Sequence, residues 1–176
     1  MESIKDLIAM TIPWLPGCNQ EIIRLELQNA VRKLCRECGI YRKTDETVTI
    51  KDIKEYGIVI PDGTILQQIQ RVYFDGSVLS PQKYDIDMEL FKIIFNTNIS
   101  QSGIPIKYEM ILIPDFVTEE LNRDLFIRYA EAFRDNALSV LLRMPKKPWT
   151  DNALAMDFER KCIAWRQEAK TDMVYG

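Results

Sequence analysis

The sequence predicts an α+β fold that is mainly helical, with an N-terminal and a C-terminal helix pair forming a bundle and an antiparallel β insertion between them. Three observations carry this expectation. Apolar residues recur every three to four positions over residues 19–38, 118–144 and 150–170, which is the repeat of one buried helix face. Over about residues 47–113 the recurrence drops to every second position, the repeat of a half-buried strand. Gly39, Pro114 and Pro145 stand at the changes, where a helix or strand has to stop.

Taken in order, Ile4, Leu7 and Ile8 mark a short helix over about residues 3–11, and Pro13 and Pro16 force a tight corner after it. Asn19 caps the next helix, whose buried face holds Ile23, Leu27, Ala30, Leu34 and Cys38, and Gly39 supplies its C-cap. Val48 and Ile50 open the alternating region. Tyr56, Ile58 and Ile60 run into Asp62-Gly63, and Ile65 to Phe74 run into Asp75-Gly76, so two Asp-Gly turns between β-rich runs predict an antiparallel meander. Ile65, Ile69 and Val72 also fit helical spacing, and the flanking turns assign that segment to a strand. Residues 81–88 read as a polar connector, Leu90 to Phe95 as an apolar run, and residues 96–103 as a loop tip. Ile104, Ile106, Tyr108, Met110 and Leu112 then share one strand face that ends at Pro114.

Helix resumes with Thr118 as cap and Glu119 and Glu120 in the first turn, where their charge suits the macrodipole. Leu121, Leu125, Tyr129, Phe133, Ala137 and Val140 make its stripe, and Leu138, Leu141 and Leu142 widen it. A proline-bracketed corner, Met144 to Asp151, leads to the last helix. Thr150 as its N-cap would set Trp149 and Leu154 in a hydrophobic staple, with Phe158, Cys162, Trp165 and Ala169 continuing the face.

Composition bounds the function. The 176 residues, 47% hydrophobic and 28% charged, suit one globular domain, 1–176. A net charge of -3 and a pI near 5.2 argue against a dedicated nucleic-acid binder, because phosphate binding needs a surplus of cations. The N-terminus lacks the pattern of a signal peptide, and no apolar run reaches the ~20 residues of a membrane span, so a soluble protein made in a cytoplasm is expected. The chain has no histidine, which removes the usual general base, the catalytic triads and the commonest metal ligand. An enzyme is therefore not expected, nor a cofactor or metal.

Cys35-x-x-Cys38 lies at a helix C-terminus, whereas a redox pair belongs at an N-terminus, and Cys18 and Cys162 offer no second close pair for zinc. Asp85, Asp87 and Glu89 alternate with apolar residues but lack the glycine of a calcium loop, so a solvated edge is expected. The run Arg32, Lys33, Arg36, Arg42 and Lys43 is read as a solvated face beside Glu26 and Glu37. Lys146 and Lys147, held between prolines and next to Trp149, are equally a contact site or a structural turn.

Two long stretches, YGIVIPDGTILQQIQRVYFDGSVLSP from Tyr56 to Pro81 and ALSVLLRMPKKPWTDNALAMDF from Ala137 to Phe158, resemble a family of phage neck proteins. The Leu15-Pro16-Gly17 corner before a long helix with a cysteine near its end completes the likeness, which spans nearly the whole chain. The resemblance is to head-to-tail adaptors, also called connector or head-completion proteins, of tailed bacteriophages. It implies a homo-oligomeric ring, typically of twelve copies, between the portal protein and the tail or nozzle proteins in the virion neck. DNA would pass through such a ring without specific binding, and no membrane is involved. By that analogy Trp165, Met173, Val174 and Tyr175 are candidates for portal contact, and the corner holding Met144, Lys146, Lys147 and Trp149 for subunit contact. Two other readings compete: a cellular helical protein-interaction or regulatory module, and a histidine-free enzyme working through paired carboxylates.

Overall fold

The computed structural model describes residues 3–116 and 119–175, with the side chains of 173–175 excepted. It is an α+β protein, with four α-helices and two sheets among the described residues. The chain divides into two compact units: one joins the N-terminal segment through Tyr41 to the part from Ile113 onward, and the other is Arg42–Leu112.

The first unit holds α1 (Ile4–Thr11), α2 (Gln20–Cys38), α3 (Arg123–Leu141) and α4 (Asn152–Tyr175). Ser3 begins α1, its backbone N–H donating to Asp6 at 2.8 Å, and a single 3-10 turn at Ile12–Trp14 makes the proline corner. Asn19 caps α2 by accepting the Glu21 N–H at 2.9 Å, and Gly39 closes it at φ +60°, a conformation open to a residue without a Cβ. Ile23, Leu27, Ala30, Leu34 and Cys38 are all buried, as their spacing predicts. Helix α3 packs against both α2 and α4, and α1 packs against α2 and α3. Phe133, Ala137, Leu138 and Leu141 of α3 are fully enclosed at the centre of this core.

Three expectations for the helical unit are corrected. The capping residue predicted for α3, Thr118, lies outside the described residues, and the helix begins later: Asn122 accepts the backbone N–H groups of Asp124 and Leu125. Glu119 and Glu120 precede the helix, where the Glu119 carbonyl accepts the Ile4 N–H at 2.9 Å and its carboxylate meets Arg24 at 2.7 Å. Helix α4 is capped by Asp151, whose carboxylate accepts the Leu154 N–H at 2.9 Å, so Trp149 and Leu154 are not in staple positions. Val140, predicted on the buried stripe of α3, is 40% exposed because it falls at the edge of that face.

The second unit holds β1 (Arg42–Val48), β2 (Glu55–Gly57), β3 (Thr64–Phe74), β4 (Ser77–Val78), β5 (Tyr84–Asp87) and β6 (Lys92–Phe95), and β7 (Pro105–Pro114) begins in it. The order is β1-β7-β3-β4 in one sheet and β2-β6-β5 in the other. This is not a simple meander. β1 pairs antiparallel with β7, from Arg42↔Ile111 to Val48↔Pro105, so the unit's first and last strands close it. The strand also starts earlier than predicted, because the polar run Arg42–Thr47 has its pairing supplied by β7 and carries no alternation of its own. Val48 and Ile50, expected to lead the buried alternation, are 55% and 57% exposed.

Residues 81–88, read as a polar connector, contain the strand β5, whose pairing is supplied by β6, while several other readings of this unit hold. Ile65 to Phe74 is strand, and Asp75-Gly76 joins it to β4 with φ of +50° and +74°, the positive pair that a two-residue hairpin turn requires. Ile106, Tyr108, Met110 and Leu112 are all buried. Leu90 and Phe91, by contrast, stand outside β6 and are exposed. Hydroxyl groups pin the loops: Thr49 donates to the Gln101 carbonyl and accepts the Ile104 N–H, and Tyr56 accepts the Ile50 N–H and donates to the Ile53 carbonyl.

Candidate functional site

The corner between α3 and α4 is rigid by construction. Thr150 accepts the Lys147 N–H at 3.1 Å and donates its hydroxyl to the Met144 carbonyl, while the Asp151 N–H reaches back to the Leu142 carbonyl at 2.9 Å. Lys146 holds φ +59°, a left-handed conformation uncommon for a residue with a side chain. The ring of Trp149 is only 8% exposed, so it anchors the corner from inside, and Lys146 and Lys147 stay outside. Met144 is half-buried against the core.

Trp165 is likewise tied inward. Its indole N–H donates to Asp135 Oδ2 at 3.3 Å, and Asp135 Oδ1 accepts both Nε and Nη2 of Arg134 at 2.9 and 2.7 Å. Asp135 is 2% exposed, a position a carboxylate holds only when paired and hydrogen-bonded. The side chains of Met173, Val174 and Tyr175 lie outside the described residues. The sequence-predicted contact residues therefore fall into two places, the α3–α4 corner and the length of α4, and do not form one cluster.

A cleft with a volume of about 390 Å³ lies among α2, α3 and α4. Asn136 and Ser139 of α3 and Cys162 of α4 are buried at its wall. Lys33, Arg143 and Arg166 bring positive charge, with Glu159 bound to Arg143 at 2.5 Å and Arg166 held 3.1 Å from Glu37. Burial, with the nearby Asp135, pushes the Cys162 thiol up, so it stays protonated. An adjoining hollow shares Lys33 and adds Asn29, Arg32, Arg36, Glu37 and Phe116.

Arg32 corrects the solvated-face expectation. It is 8% exposed, donates to the Pro114 carbonyl at 2.6 Å and lies 3.5 Å from the centre of the Phe116 ring. Its burial pulls the guanidinium below its ordinary value. Sequence reading missed the polar seam of Asp135, Asn136 and Ser139. Its one signal was three polar residues interrupting the apolar stripe around Phe133 and Ala137.

The four cysteines are free thiols. Burial pushes the Cys35 thiol up to about 12, which makes it a poor nucleophile and an inert part of the core. Among the described residues no group of three or more Cys, Asp or Glu is placed to hold a metal ion. Among them also, no helix is long and apolar enough to cross a membrane. Asp85, Asp87 and Glu89 sit on β5 and the turn after it, with Asp87 Oδ1 accepting the Glu89 and Leu90 N–H groups at 2.9 Å. In the β unit a smaller hollow of about 240 Å³ is lined by apolar residues such as Phe74, Phe95 and Ile99 and by polar ones such as Lys83, Thr97 and Asn98. No protein-family model matches the chain, and no curated protein matches it.

Proposed function

We propose that this chain is a head-to-tail adaptor of a tailed bacteriophage, a structural virion protein that forms a ring between portal and tail and acts without catalysis. In this reading the four helices are a bundle made of two pairs, the β unit is an insertion between them, and the whole 1–176 chain works as one building block. Its partners are further copies of itself, the portal protein and tail or nozzle proteins. It assembles in the host cytoplasm and resides in the neck of the virion.

The observation that carries the proposal is the presence of two unlike surfaces on one chain. A closed ring of identical copies needs a heterologous interface, in which one patch of each copy fits a different patch of the next. The helical unit offers a cationic cleft with partly exposed Val140 and Ile163, and the β unit displays apolar side chains such as Val59, Val78 and Leu90 at 67%, 63% and 63% exposure. The net charge of -3 also suits a conduit that lets DNA slide, since a strongly basic lumen would retain phosphates. The two stretches that resemble the adaptor family include both surfaces' neighbourhoods: β3 with its hairpin, and the α3–α4 corner.

Electron microscopy and sedimentation of the purified chain, alone and mixed with portal rings, test this. Annular particles, or monomers that join a ring once portal is present, are expected. A chain that stays monomeric and ignores portal rings in every condition defeats the proposal.

A further inference from the structure

We infer that the cationic cleft of the helical unit receives the acidic Asp85–Phe91 turn of a second copy of this chain. The inference rests on the ring reading above and names the two surfaces that would meet.

The lining of the cleft carries more cations than anions. With its adjoining hollow it gathers Arg32, Lys33, Arg36, Arg143 and Arg166 with Glu37 and Glu159, while Glu26 lies near Lys33 and Asp115 near Arg32, in a chain whose net charge is -3. Arg143 and Arg166 each have one carboxylate, while Lys33, which borders both hollows, makes no ion pair among the described residues. Val140 and Ile163 at the wall are 40% and 49% exposed, so the cleft is apolar as well as positive.

The turn has the opposite character. Asp85, Asp87 and Glu89 alternate with Ile86, Met88 and Leu90, and among the described residues Asp85 and Glu89 make no ion pair. Met88, Leu90 and Phe91 are 39%, 63% and 40% exposed. The turn is also held in shape, since Asp87 accepts two backbone N–H groups and the Phe91 carbonyl accepts the Ile58 N–H at 2.7 Å. Little ordering would be needed on docking, which favours association. Carboxylates on the turn thus face a positive cleft, and exposed apolar side chains occur on both. The two surfaces belong to different units of the chain, which is the arrangement that propagates from copy to copy around a ring.

A charge exchange tests this at exposed positions that break none of the ion pairs described. One variant carries Lys33→Glu with Ile163→Glu, making the cleft acidic; the other carries Asp85→Lys with Glu89→Lys, making the turn basic. Sedimentation is measured in the condition where the wild-type chain assembles, at low and high salt, with circular dichroism to confirm folding. Each variant alone should associate at least ~10-fold more weakly, because like charges meet at every junction. An equimolar mixture should recover wild-type particles, since each junction then pairs opposite charges. The milder Lys33→Gln and Glu89→Gln changes should weaken assembly and reduce its salt dependence, and they serve if a reversal fails to fold. Variants that assemble like wild type overturn the inference and leave the adaptor reading standing. So does a mixture that fails to recover, which assigns the two surfaces to other partners, portal or DNA phosphates included. A wild-type chain that never associates, with or without portal, overturns both.

Discussion

The helical unit and the β unit reach stability by different means. In the helical unit the apolar stripe itself defines the inward face, and α3 buries Phe133, Ala137, Leu138 and Leu141 completely between its neighbours. In the β unit apolar residues stand on both faces of a strand such as β3, and the loops rely on hydroxyls, with Tyr56 and Thr49 closing backbone groups that no strand pairs. A helix that shows one apolar stripe has one way to face, whereas a strand with Ile65 outside and Leu66 inside has two. The comparison teaches that a repeat in sequence locates a buried surface only where the other faces of the element are polar.

Substitutions can break or sharpen this contrast. The largest effect is expected from Phe133→Ala, which empties the centre of the helical core and should cost about 3–5 kcal/mol in denaturant unfolding. Hydrogen exchange would then show lost protection in α2, α3 and α4; equal loss in β3 and β7 would mean that the two units unfold as one. Next comes Tyr56→Phe, which leaves the Ile50 N–H and the Ile53 carbonyl without their hydroxyl partner and should cost about 1–2 kcal/mol, read as faster exchange at the Ile50–Ile53 amides. Asn122→Ala removes the α3 cap and should cost about 1 kcal/mol by the same unfolding assay. Asp151→Ala should do the same for α4, and a null result at both would mean that the caps do not set these helix starts.

The smallest effect near neutral pH concerns Cys35. Burial pushes its folded thiol up to about 12 from an ordinary value near 9.0, so the unfolded chain loses this proton first as pH rises. The unfolded state then binds fewer protons, and stability falls across the window from about pH 9 to 12. Below pH 9 the contribution is flat. Cys35→Ala should flatten the alkaline slope, and mass spectrometry at pH 8 should find thiol reagents modifying half-buried Cys18 well before Cys35. Rapid modification of Cys35 in the folded chain would contradict its place in the core.

What was legible depended on range. Asn19 and Gly39 bracket α2 because a cap is satisfied within one turn of its own residue, and Asp75-Gly76 reads as a hairpin because two consecutive positive φ values are a local demand. Thr118 and Thr150 were equally good caps by composition. Asn122 and Asp151 took the role because Glu119 is drawn into contact with Ile4 and Arg24, and Thr150 is used inside the corner. The contact residues suggested by resemblance were legible as types, but the polar cleft was not. Asp135, Asn136 and Ser139 become a seam only when α4 brings Trp165 and Cys162 against them.

By itself the sequence determined the succession of helical and β-rich stretches, the helix faces of α2 and α4, and a chemistry without histidine, since each follows from residue type and spacing over a few positions. Tertiary structure alone decided that β1 pairs with the distant β7, that Arg32 lies buried under Phe116, and that Trp149 turns inward. These depend on which segments meet in space, and a backbone group or a buried cation takes whatever partner the fold delivers.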